Sequence, residues 1–101
     1  MDTEFTATVD ASGRAKITIK PDGLRPWIVS QVSTEMPTAP VSAVCTLRKG
    51  GRFISYLIPT GDAAGGDPPV ETTQSRPLTV EFTGCTPGDQ ATAFVIYEES
   101  R

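Results

Sequence analysis

Catalysis in a short chain falls to a few residue types, and the most versatile of them is missing: the 101 residues include no histidine. That removes the commonest general base near neutral pH, the Ser/His and Cys/His nucleophile pairs, and most transition-metal sites. Two cysteines remain, Cys45 and Cys85, two ligands short of a structural zinc site. A nucleophilic cysteine would also need a base or a helix N-terminus to hold its thiolate, and neither is visible. Both cysteines are therefore expected to be structural, with Cys45 the better candidate for a small buried hydrophobe. Two carboxylates at suitable separation would suffice for glycoside hydrolysis. Every acid, however, falls at an outward strand position, in a turn or at a terminus, and none sits in the apolar surroundings that raise a carboxyl pKa. The expectation is a chain that is not an enzyme and uses no cofactor.

Binding has more candidates. In "GDAAGGD" the flexible glycines would let Asp62 and Asp67 approach a calcium ion. The alternating D-x-D-x-D-G loop is missing, so a solvated loop is the plainer reading. Arg48, Lys49 and Arg52 set three cations around one turn, where they keep a hairpin tip soluble, blunt a sheet edge, or dock on an acidic partner. These five residues, Arg48, Lys49, Arg52, Asp62 and Asp67, are the candidate partner contacts. Trp27, the sole tryptophan, is expected in the core, because its area dominates the burial available to a small β domain.

The elements that would position these residues read as strands. No stretch carries apolar residues at helical spacing over three turns, whereas period-two alternation recurs between turn signals. Glu4 to Asp10 sets Phe5, Ala7 and Val9 on one face. "DASG" then carries hairpin-turn chemistry, and Arg14 to Lys20 is expected to return beside the first strand with Ala15, Ile17 and Ile19 inward and Glu4 near Lys20. After "PDG" come a β-branched run from Trp27 to Thr34 and a strand from Val41 to Arg48. A tight turn through Lys49 and Arg52 leads to Phe53 to Ile58. Pro59 to Pro77 is expected to be irregular, with Val70 as its main apolar anchor. Leu78, Val80 and Phe82 mark an inward face; Gly84 to Asp89 turns the chain, and Ala91 to Tyr97 closes it as the second strand of a final hairpin. Phe94 and Ile96 make the second face of that last strand apolar too, which places it mid-sheet or against a partner.

About seven strands at this spacing indicate a single domain over residues 1–101: all-β, an antiparallel two-sheet β-sandwich, Ig-like or jelly-roll-like. The separation of Cys45 and Cys85 is similar to that of an immunoglobulin inter-sheet disulfide, but Trp27 precedes both cysteines instead of lying between them. Reduced thiols are expected, since "MDTEFTATVD" shows no export signal. A formal net charge of −3 argues against a nucleic-acid partner, and no apolar window is long enough for a membrane helix.

The order of pieces resembles small β-sandwich virion proteins of tailed phages that infect actinobacteria. The likeness runs through "PWIVSQVSTEMPTAPVSAVCTLRKG", "PTGDAAGGDPP" and "LTVEFTGCTPGDQATAFVIY". In the last stretch, Phe82, Thr83, Gly84, Pro87, Gly88, Ala91 and Ala93 fit the family's closing pattern of aromatic-Thr-Gly, Pro-Gly and an Ala/Thr-rich strand. Phe82 stands where Trp is common, and Cys85 is an unusual occupant of the turn. The resemblance implies a non-enzymatic structural protein of the virion, assembled in the bacterial host cytoplasm, that decorates the capsid or attaches to the tail. Its implied partners are the major capsid or tail proteins and further copies of itself, through the N-terminal strand or the Pro59–Pro77 segment. The alternative is a carbohydrate- or host-surface-binding module of a phage tail.

Overall fold

The structure is a computed structural model that describes residues 1–38, 42–49, 52–57 and 63–99, with side chains described outside 55–57 and 63–69. Among the described residues there are eight strands and no helix: β1 (Asp2–Thr8), β2 (Ala15–Ile19), β3 (Trp27–Glu35), β4 (Val44–Lys49), β5 (Arg52–Leu57), β6 (Ala63–Thr72), β7 (Leu78–Thr83) and β8 (Gln90–Glu99). Alternation sets the faces as expected. In β2, Ala15, Ile17 and Ile19 are buried while Lys16 and Thr18 reach water.

Strand pairing follows a single rule. β1 pairs with β8, β2 with β7, β3 with β6 and β4 with β5, all antiparallel. The chain is thus one long antiparallel ribbon rolled over on itself. Further pairing of β3 with β8 and of β4 with β7 completes two four-stranded sheets, ordered β1-β8-β3-β6 and β2-β7-β4-β5. This is the winding of a jelly roll, and it decides between the two sandwich types that alternation left open.

The rolled ribbon corrects three expectations. β1 and β2 do not form a hairpin: Glu4 pairs in register with Phe94, and Lys20 follows β2 in the opposite sheet, so the two charges do not face each other. β7 and β8 likewise lie in different sheets. The turn chemistry itself is present. Asp10 Oδ1 accepts hydrogen bonds from Ser12 N, Ser12 Oγ and Arg14 N, and Gly13 has φ 81°. What sequence could not show is that two turns run side by side: Val9 N donates to Asp89 O (2.8 Å), Gly88 N to Val9 O (2.9 Å) and Cys85 N to Gly13 O (3.0 Å). Together they carry the β1/β8 ribbon over a corner into β2/β7.

The third correction is β6, which lies inside the segment expected to be irregular. It is the last strand of its sheet, so its outer side has no ladder to complete, and Pro68 and Pro69 are tolerated there. They fall where the register with β3 shifts, between Gly65 and Val70.

The core lies between the sheets. Ile17, Ile19, Leu47, Leu78, Val80 and Phe82 from one side meet Val29, Val32, Ala91, Ala93 and Val95 from the other. Full burial of a side chain such as Phe82 contributes about 1.5–3 kcal/mol. Trp27 is a core residue, as expected: it is 5% exposed, stacked on Tyr97 at 3.9 Å between ring centroids, and tilted against Phe5 at 6.4 Å. β8 runs mid-sheet between β1 and β3, as its apolar faces suggested.

Candidate interaction surfaces

Of the five candidate contacts, the structure brings the three cations together at one end of the second sheet. β4 and β5 pair as the expected hairpin, with Lys49 opposite Arg52. Arg48 points outward from β4; its Nε lies 2.9 Å from Glu81 Oε2 on β7, and its guanidinium sits 5.9 Å from the centre of the Phe53 ring. An exposed ion pair of this kind contributes about 0–1 kcal/mol, so it orients Arg48 more than it stabilises the fold. Asp62 lies outside the described residues. Asp67 belongs to strand β6, not to a loop. Among the described residues no three His, Cys, Asp or Glu side chains gather as metal ligands.

One member of the basic group was missed. Lys49, Arg52 and Ile54 line a surface depression of about 660 Å³ together with Ser75 and Arg76. Arg76 arrives because Lys49 is in register with Leu78, which places the turn before β7 beside the β4–β5 hairpin. That turn is closed by Thr73 N donating to Arg76 O, and by Arg76 N donating to Thr73 Oγ1. No signal in the sequence links Arg76 to Lys49, since their proximity follows only from the strand order.

The two outer faces differ in charge. On the first sheet, Asp2, Glu4, Glu35, Glu71 and Glu98 alternate outward, and β1, β3, β6 and β8 contain no lysine or arginine. At the centre of this face Phe94 is 38% and Ile96 44% exposed. Asp2, Glu4, Ser33 and both apolar side chains line a shallow depression of about 310 Å³. The second sheet presents Lys16 and Arg48, with Arg14 and Lys20 flanking β2, and its strands carry one acid, Glu81, which Arg48 engages. Phe53, 46% exposed, and Val44 supply its apolar surface.

The thiols are buried and unpaired with each other. Burial pushes the Cys45 thiol up to about 12, against the opposing effect of a hydrogen bond with the Thr34 side chain. Cys85 is also shifted upward, first by burial and then by the Asp89 carboxylate. Neither environment creates a thiolate, so both cysteines behave as small hydrophobes.

Comparison of the chain with protein-family models, curated proteins and solved structures gives no match in any of the three.

Proposed function

We propose that this chain is a non-enzymatic structural protein of a tailed-phage virion, carried on the capsid surface or on the tail and acting through protein–protein contacts. The observation that supports it best is the rolled double sheet with apolar side chains exposed on both outer faces. Solvent-exposed Phe and Ile amid one sign of charge suit a surface that meets other proteins. Jelly rolls are used by viral capsid domains and also by lectin domains, so the fold supports the role by analogy only. The closing stretch with family-like residues adds to it: Phe82, Ala91 and Ala93 are core side chains, and Gly84 and Gly88 adopt positive φ at the corner. A glycan platform has less to stand on, because Trp27 is turned into the core and the exposed rings of Phe53 and Phe94 lie on opposite faces.

The test is co-sedimentation of the purified chain with assembled phage heads and, separately, with tails, followed by cryo-electron microscopy of the fraction that retains it. Saturable binding to one of them is expected, with density for an eight-stranded sandwich at a repeated position. A chain that binds neither heads nor tails overturns the reading.

A further inference from the structure

We propose that copies of this chain associate head to tail, the acidic face of the first sheet docking on the basic face of the second sheet in the next copy. This deepens the assembly part of the reading above and rests on it only for the premise that copies assemble. The contact itself is read from the residues. Glu4 flanks Phe94 and Asp2 flanks Ile96 across the β1–β8 ladder, while Glu98 lies opposite Ile28 on β3. The result is an apolar stripe bordered by carboxylates, without a cation on any strand of that sheet.

The opposite side of the molecule is its chemical complement. Arg14, Lys16 and Lys20 form a row along β2, an edge strand, and Arg48 rises from β4 beside Phe53. Like faces would repel, since one carries mainly acids and the other, apart from Glu81, mainly cations, so a two-fold pairing of identical faces is disfavoured. Unlike faces attract and also cover Phe94, Ile96, Val44 and Phe53. A second copy is therefore the occupant that this surface fits on both sides at once.

Geometry sets the strength. Four strands about 4.8 Å apart and about six residues long at ~3.4 Å per residue make a plane of roughly 400 Å². That is about half of the ~800 Å² per partner typical of stable interfaces. A single contact is accordingly weak, and it becomes durable only when copies are held in an array.

The test is sedimentation-velocity ultracentrifugation of the purified chain up to about 1 mM, the range in which weak contacts populate. Mass should rise with concentration, and association should weaken by about tenfold between low and 0.5 M salt as the charges are screened. Glu4→Lys with Glu98→Lys sets two lysines among the acids Asp2, Glu35 and Glu71 that remain on the first face. Lys16→Glu with Lys20→Glu sets two glutamates among the remaining cations Arg14 and Arg48 of the second, so each variant spoils one face and keeps the other native. All four positions are exposed, and circular dichroism checks that both variants fold. Each variant should be monomeric alone, and their equimolar mixture should associate again. A wild-type chain that stays monomeric at about 1 mM overturns the contact, as does a mixture that remains monomeric. A monomer that still co-sediments with heads or tails sinks this inference and leaves the virion role standing. A self-associating chain that ignores particles does the reverse.

Discussion

Gly84 offers a measurement of how tightly the corner is built, because a second glycine supplies its control. Gly84 has φ 65°, and a Cβ added there would meet Ser42 O at 2.2 Å and Ser42 C at 2.9 Å. Gly88 has φ 89°, yet a Cβ there meets nothing within 4 Å. Alanine at either position carries the left-handed backbone cost of roughly 1–2 kcal/mol. Only Gly84→Ala adds a collision with main chain, which cannot rotate away. Relieving it separates β7 from the segment leading into β4 and weakens the bond in which Ser42 Oγ donates to Gly84 O at 2.8 Å. Overpacking of this kind costs about 1–3 kcal/mol and the lost hydrogen bond about 1. Gly84→Ala should therefore lose roughly 3–6 kcal/mol and Gly88→Ala only the backbone part. The larger loss is a substantial share of the ~5–15 kcal/mol that holds a typical domain. Urea unfolding followed by Trp27 fluorescence reads both, since Trp27 is the only tryptophan and leaves the core on unfolding. Equal losses for the two variants would show that Ser42 does not press on Gly84, and the reasoning about the corner would fail.

Three other outcomes follow from single residues. Thr72 is fully buried on β6, and its Oγ1 has no hydrogen-bond partner among the described residues, so Thr72→Val should stabilise by about 1 kcal/mol, raising Tm by roughly 4–8 °C in calorimetry; a lower Tm would show that the hydroxyl is satisfied. With Cys45 held at about 12 and Cys85 also shifted upward, a disulfide-exchange reagent at pH 8 should label neither thiol in the native chain and both in denaturant. Rapid native labelling of Cys45 would place it outside the core. Hydrogen bonds from Ser12, then from Arg14 N, hold Asp10 below the usual carboxylate range. A pKa lowered by folding contributes stability above the unfolded value near 4, and that contribution is lost as pH falls through the folded value. Wild type should thus exceed Asp10→Asn in urea unfolding at pH 7, and the gap should narrow as the pH falls below the usual carboxylate range. A gap that is unchanged at low pH would remove Asp10 as the cause.

Alternation by itself determined which side chains face inward: Ile17, Ile19, Leu78, Val80 and Phe82 are buried where period two places them. It also marked β8 as doubly apolar, and it grouped Arg48, Lys49 and Arg52 because they are close in the chain. What it could not supply was partnership between strands, since a face pattern is the same whichever neighbour completes the ladder. Asp10–Gly13 has the chemistry of a hairpin turn, and it became a corner only because Gly84–Asp89 lies against it. Edge position, likewise a property of the assembled sheet, let a Pro-rich segment become β6. The addition of Arg76 to the basic group, and the sorting of acids to one outer face and cations to the other, also came from strand order. Side-chain direction is local and can be read along the chain; proximity across a rolled ribbon depends on contacts between residues far apart in sequence, and the folded structure alone decides it.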